Sequence, residues 1–91
     1  MAKDLIKYQT RGTCSKEIIL EIENDIIINM NFIGGCQGNL SGIATLVIGM
    51  NIYEVIKKLQ GITCGSKPTS CPDQLAQCLI EYTKEKAKTA I

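Results

Sequence analysis

Five cysteines are the residues of this sequence with the clearest capacity for chemistry, because the chain contains no histidine. Four of them have a glycine or proline within two residues, which places them at expected turns or helix starts: Cys14, Cys36, Cys64 and Cys71. Several cysteines in one small domain without a secretion signal suggest metal binding or redox chemistry before structural disulfides. These four thiols are therefore the first candidates for a functional site.

Four thiolates from separate parts of the chain could bind a single metal ion. Zinc accepts four sulfur ligands tetrahedrally, and such a closed site is structural because no ligand position remains for a substrate. The pattern therefore predicts a zinc site formed by Cys14, Cys36, Cys64 and Cys71, with an iron–sulfur cluster as the second metal candidate. Two other interpretations stay open. The cysteines could be inert core residues, or Cys64 and Cys71 could cycle between dithiol and disulfide.

The fifth cysteine, Cys78, is predicted to be separate from this group. It lies two helical turns beyond Cys71, roughly 10 Å along the axis of the helix expected there. Because that distance is too large for both sulfurs to share one metal, we expect Cys78 to be a core or partly exposed thiol.

Other polar or glycine-rich features have simpler interpretations. The segment Gly34–Gly38 precedes a predicted helix but lacks the lysine and the serine or threonine of a phosphate-binding loop. We interpret its glycines as turn residues. Lys16 and Lys67 are expected to be solvated, and Asp73 is expected to be a helix-start residue instead of a catalytic acid.

Alternating apolar residues predict three β-strands in the first third of the chain. Their predicted bounds are Leu5–Thr10, Glu17–Glu23 and Ile26–Ile33. A three-residue loop containing the turn formers Asn24 and Asp25, one of them left-handed, pairs Ile22 with Ile26 and keeps the apolar side chains on one face. Extended backwards, this register places Cys14 opposite Gly34, two residues from Cys36.

Three helices are predicted after the strands. They run from the N-cap Asn39 to Gly49, from Asn51 to Gly61, and from Pro72, capped by Ser70 or Cys71, with fraying expected beyond Thr83. The sequence thus predicts an α+β fold, with a three-stranded, mostly antiparallel sheet and about three helices on one face. Because no internal repeat or linker is visible, residues 1–91 are expected to form one domain.

Charge and hydropathy narrow the range of partners. The formal net charge is +1, without the basic stripe that nucleic-acid binding requires. The longest apolar run, residues 43–50, is too short to span a membrane. The first residues lack an apolar signal core followed by a cleavage site. We therefore expect a cytoplasmic protein that binds neither nucleic acid nor membranes.

The string Thr69-Ser70-Cys71-Pro72-Asp73 resembles the TSCPD family, which is named for it. The segments Gly34–Asn39 and Gly61–Gly65 resemble the small stand-alone members with four characteristic cysteines, and the resemblance covers nearly the whole chain. It carries the role of those cysteines onto Cys14, Cys36, Cys64 and Cys71 and leaves Cys78 outside.

The TSCPD resemblance also implies a biological setting. Similar domains form the C-terminus of cobalamin-dependent ribonucleotide reductases, where the cysteines are thought to bind zinc. Stand-alone members are labelled reductases by that similarity, but this chain is too short for the reductase barrel and contains no complete active site. The resemblance therefore implies an accessory module linked to deoxyribonucleotide synthesis, with ribonucleotide reductase or another protein as its partner.

A second, weaker resemblance is to iron–sulfur cluster scaffold proteins. Gly35-Cys36 at a helix start, and Cys71 opening a helix that contains Leu75-Ala76, are similar to segments of those scaffolds. This resemblance implies a shared α+β fold, and an iron–sulfur carrier is the alternative function that it suggests.

Overall fold

The computed structural model describes residues 3–13, 15–35, 37–63 and 65–89. Three strands precede three helices: β1 Asp4–Gln9, β2 Ser15–Glu23, β3 Ile26–Gly34, α1 Gln37–Val47, α2 Ile52–Leu59 and α3 Cys71–Thr89. The sheet order is β1-β2-β3, and both neighbouring pairs are antiparallel. The predicted α+β fold is confirmed. In the described ranges, none of the helices has an apolar stretch long enough to cross a bilayer.

The core lies between one face of the sheet and the helices. Alternate residues of β2, namely Ile18, Leu20 and Ile22, are almost completely buried because each second side chain of a strand points to the same face. The helices cover them with an aliphatic layer that includes Val47, Ile52, Val55, Leu75 and Leu79. The sheet and helices therefore share a single core, as the alternating pattern predicts.

The turn between β2 and β3 contains two residues, not the three that we predicted. Asn24 and Asp25 both have left-handed backbones, with φ of 52° and 63°. This conformation matches the twist of a two-residue hairpin loop. Glu23 pairs with Ile26, so the predicted pairing of Ile22 with Ile26 was wrong.

A β-bulge in β3 compensates for the shorter turn. The pairing steps from Ile22 opposite Ile27 to Glu21 opposite Asn29, which leaves Ile28 as an extra residue. Because the bulge shifts the alternation by one position, apolar side chains on both sides of it still face the core. A two-residue loop is therefore also compatible with a single apolar face.

A second irregularity changes the pairing at the other end of the hairpin. It lies between Ser15 and Glu17, and it places Ser15 opposite Gly34. The predicted partner of Gly34, Cys14, lies outside the described residues. Because Gly34 pairs with Ser15, the predicted pairing of Gly34 with Cys14 was wrong by one residue.

Helix α1 begins three residues earlier than predicted, at Gln37 instead of Leu40. Gly34 and Gly35 have φ of 79° and 80°, so the chain turns sharply before residue 36 and the helix is already formed at Gln37. Asn39 therefore lies inside the helix, and its predicted role as N-cap was wrong. The end of α1 agrees with the prediction, because Gly49 is left-handed with φ of 92°.

Helix α2 has the predicted boundaries. The side chain of Asn51 accepts a hydrogen bond from the amide of Tyr53 at 2.9 Å, which confirms Asn51 as the N-cap. The helix ends at Leu59, and Gly61 has φ of 85° just beyond it. A left-handed glycine after the last turn is a common helix stop.

Helix α3 continues to Thr89, beyond the fraying point predicted at Thr83. Two contacts join its distal half to β1 and to the turn between β2 and β3. Tyr82 donates a hydrogen bond to Asp4 at 2.6 Å, and the Lys86 ammonium lies 2.6 Å from the Asp25 carboxylate. The prediction considered only the local polar sequence and so missed these contacts with distant residues.

Candidate functional site

Cys71 lies at the point where the loop after α2 becomes helix α3. It is the first residue of α3 and is only 6% exposed. Its Sγ lies 3.2 Å from the hydroxyl oxygen of Ser15 at the start of β2. Cysteine binds metals as the thiolate, and amides at a helix N-terminus are one kind of group that stabilises a thiolate.

The described neighbours of the other predicted ligands lie around Cys71. Thr13, which precedes Cys14 in sequence, and Thr63, which precedes Cys64, line the same cleft as Cys71. Ser15, which follows Cys14, contacts the Cys71 sulfur and pairs with Gly34, two residues before Cys36. Three segments of the chain therefore converge on one thiol.

The complete four-cysteine site stays a prediction. Cys14, Cys36 and Cys64 lie outside the described residues. Among the residues that are described, no group of three or more cysteine, aspartate or glutamate side chains could hold a metal ion. The structure therefore describes one of the four predicted ligands, Cys71, and the residues around it.

A buried carboxylate supports the loop that enters α3. Asp73 is 6% exposed, and its two oxygens accept hydrogen bonds from the Gly61 amide at 2.7 Å and from the Thr69 hydroxyl at 2.5 Å. Burial alone would raise the pKa of Asp73, but hydrogen bonds from Thr69, Gly61 and Gln77 outweigh burial and lower it. The carboxylate is therefore charged at neutral pH and is occupied by structural contacts.

Ser70 caps the helix and holds the preceding loop. Its hydroxyl oxygen accepts a hydrogen bond from the Asp73 amide at 3.2 Å, so Ser70 is the N-cap of α3. The same hydroxyl donates to the carbonyl of Ile62 at 2.6 Å. Our prediction named Ser70 or Cys71 as the cap, and the structure selects Ser70.

Gln74 links a third segment to the same helix start. Its Oε1 accepts a hydrogen bond from the Arg11 amide at 3.0 Å, and its Nε2 donates to the Thr69 hydroxyl at 3.0 Å. Nearby, Gly12 has φ of 74°, and a Cβ at this position would lie 3.1 Å from the Thr69 methyl group. The residues before Cys14 and before Cys64 are thus both hydrogen-bonded to the first turn of α3.

The sequence correctly predicts Asp73 at the start of α3, but it does not predict this hydrogen-bond network. The available signal was a run of polar side chains, Thr69, Ser70, Asp73 and Gln74, in the first turn of a helix that is otherwise apolar on its inner face. Buried polar side chains require partners. Their partners, Arg11 and Gly61 among them, are distant in sequence and could not be identified from the pattern.

Comparison of the sequence with known protein families gave one match. The family model described as TSCPD domain matches residues 2–83 of the 91-residue chain. The chain belongs to the TSCPD domain family. Comparison with curated proteins gave no match, and comparison with solved structures gave none. The likeness to iron–sulfur scaffold proteins therefore stays a prediction.

The residues of the TSCPD string, 69–73, have different structural roles in this fold. Thr69, Ser70 and Asp73 form the hydrogen bonds that fix the loop to α3. Pro72 lies in the first helical turn, where its missing amide hydrogen costs nothing. Cys71 presents its sulfur to Ser15. Four residues of the string thus build the junction, and one supplies a thiol.

Replacing Ser70 with alanine tests the junction. We expect Ser70→Ala to lower the free energy of unfolding by about 2 kcal/mol, the upper end for loss of a helix cap. The value is large because the Ile62 carbonyl loses its donor as well. Ser41→Ala on the exposed side of α1 is the matched control and should change stability by less than about 0.5 kcal/mol. Urea unfolding measures both, and equal effects would contradict the assigned capping role.

Cys78 is separate from this site, as predicted. It is fully buried in the core, and the structure identifies it as a free thiol. Burial, and to a smaller extent the charge of Glu81, raises the pKa of Cys78 to about 12. Because its thiolate is strongly disfavoured, Cys78 is a poor nucleophile and a poor metal ligand.

Proposed function

We propose that this TSCPD domain is a zinc-binding module in which Cys14, Cys36, Cys64 and Cys71 hold one zinc ion. The observation that carries the proposal is the convergence of Ser15, Thr13 and Thr63 on Cys71. Each of Thr13 and Thr63 is adjacent in sequence to a predicted ligand. The pairing of Ser15 with Gly34 supports the inclusion of Cys36 in the same place.

The donor chemistry supports zinc. Four thiolates form a closed tetrahedral zinc site, which stabilises a fold and leaves no position for a substrate. The carboxylate of Asp73 is unsuited as a competing ligand, because both of its oxygens accept hydrogen bonds from the protein. When bound, the metal would cross-link the segments before β2, before α1 and on both sides of the loop that enters α3.

The biological role that we propose is that of a cytoplasmic accessory module in ribonucleotide reduction. Its support is the TSCPD resemblance, since similar domains form part of cobalamin-dependent ribonucleotide reductases. The chain would act through a partner protein, ribonucleotide reductase being the first to test, and would have no reductase activity in isolation. Co-purification of the two proteins from cell extract, compared with a Cys36→Ser variant, tests this part of the proposal.

Metal analysis of anaerobically purified protein tests the metal directly. We expect colourless protein with about one zinc ion per chain, the stoichiometry of a closed four-ligand site. A brown chromophore containing iron and sulfide would support the rival iron–sulfur carrier. Metal-free protein with a reducible disulfide between Cys64 and Cys71 would support a thiol redox protein. Either of these two results would contradict the zinc proposal.

A further inference from the structure

The cleft beside Cys71 is larger than a metal ion requires. Its volume is about 450 Å³, within the range of about 300–1,000 Å³ that is typical of small-molecule sites. A single ion is no larger than a water molecule, whose share of liquid volume is about 30 Å³. The cleft is therefore large enough for a small organic molecule.

The walls of this cleft are mainly apolar. They include Leu40 and Ile43 from α1, Pro72 from α3, and Ile62 from the loop between α2 and α3. Ile62 is 42% exposed, so much of its apolar surface faces water in the absence of a ligand. Thr13 and Asn39 add a few polar groups. Apolar walls with a small number of polar groups are typical of sites for organic ligands.

The described part of the cleft wall carries a single charged side chain. This side chain is that of Lys67. The ion pair between Lys86 and Asp25 does not involve Lys67. The buried acid nearest in sequence, Asp73, is directed to Gly61 and Thr69 instead.

We propose that this cleft binds a small organic acid with an apolar chain. The carboxylate would lie at the Lys67 ammonium, and the chain would lie against Ile43 and Ile62. Burial of apolar surface supplies most of the affinity, and the single cation selects an acid over a neutral molecule. This ligand site goes beyond the proposed metal site and does not require it, because its apolar walls and its cation are all described residues.

Octanoate and its neutral analogue octanamide are suitable probes. In nitrogen-15 NMR titrations of the full chain as purified, we expect saturable shifts of the amide signals of Ile43, Ile62 and Lys67. Octanoate should bind about fivefold more tightly than octanamide, the upper end for one partly exposed ion pair. The absence of saturable shifts at the cleft, or equal affinities for the two probes, would overturn the proposal.

Two variants and one control assign the roles of the residues. Lys67→Gln should reduce the affinity for octanoate about fivefold and leave that for octanamide unchanged. Ile62→Ser should weaken both probes by a similar factor of about five. Lys57→Gln, on α2 outside the cleft, should change neither affinity. Loss of octanamide binding in Lys67→Gln would contradict an electrostatic role for Lys67.

The zinc content of every NMR sample is measured separately. Protein without zinc that still binds octanoate would contradict the proposed function and support the ligand site. Protein with one zinc ion that binds neither probe would do the reverse. The two proposals can therefore fail independently.

Discussion

Replacing Cys71 with serine is expected to abolish zinc binding and to lower the free energy of unfolding by at least about 3 kcal/mol. Structural zinc sites contribute apparent binding free energies of about 10–16 kcal/mol in zinc-finger peptides. The whole stability of a domain is only about 5–15 kcal/mol. Since metal binding and folding are coupled, loss of one ligand of four should remove a large part of this stability.

Cys78→Ala provides the matched control on the same helix. Cys78 is buried in the core and is not among the described residues that line the cleft beside Cys71. Its replacement removes one sulfur atom from a packed environment and should cost about 1–2 kcal/mol through the small cavity left behind. The zinc content should stay at that of the unsubstituted protein. A loss of zinc in Cys78→Ala would show that our assignment of the four ligands is wrong.

A chelator separates loss of metal from loss of packing at Cys71. Urea unfolding is measured for the unsubstituted protein and for Cys71→Ser, each with and without a zinc chelator. If the metal is the cause, the chelator lowers the stability of the unsubstituted protein to that of the variant and has little effect on the variant itself. A variant with full zinc content, or a chelator effect of equal size in both proteins, would contradict the four-cysteine proposal.

The order and type of the elements could be predicted because the local patterns are strong. Ile18, Leu20 and Ile22 alternate with charged residues, which indicates a strand with one buried face. Asn51 and Gly61 are favourable at the two ends of a helix, and they define α2 in the structure. In both cases the determining interactions lie within a few residues of one another.

The hairpin register could not be predicted, because it depends on two compensating irregularities. A two-residue turn alone would place Ile22 and Met30 on different faces, and the bulge at Ile28 restores them to one face. The three-residue turn satisfies the same apolar pattern without a bulge. Hydrophobic alternation cannot distinguish these solutions, whereas the left-handed conformations of Asn24 and Asp25 do.

The candidate site was only partly predictable for a similar reason. Glycine and proline neighbours indicated which cysteines lie at turns, and the structure confirms that Cys71 opens a helix. The contact of its sulfur with Ser15 joins residues 56 positions apart. The links from Asp73 to Gly61 and from Gln74 to Arg11 also depend on the folded chain. Contacts between residues so far apart in the chain produce no periodic pattern in a single sequence.

Asp73→Asn is expected to lower the free energy of unfolding by about 3 kcal/mol at neutral pH. The carboxylate accepts hydrogen bonds from Gly61 and Thr69 while 6% exposed, and bonds to a charged group contribute about 1.5–3 kcal/mol each. An asparagine can accept from the Gly61 amide with its oxygen. Its amide group would then face the Thr69 hydroxyl, which already accepts from Gln74. Part of the network is therefore lost, even though the side chain has nearly the same shape.

The pH dependence distinguishes the charge of Asp73 from its shape. Because the folded state lowers the pKa of Asp73, its charge stabilises the fold above the unfolded-state value of about 3.9, and this contribution is lost as the pH falls through the folded-state pKa. Asparagine does not titrate. In urea unfolding, the difference between the unsubstituted protein and Asp73→Asn should be constant from about pH 5 to 7 and should shrink below about pH 4. Asp25→Asn is the control, since its exposed ion pair contributes at most about 1 kcal/mol. An unchanged difference between pH 7 and pH 3 would show that the charge of Asp73 does not stabilise the junction.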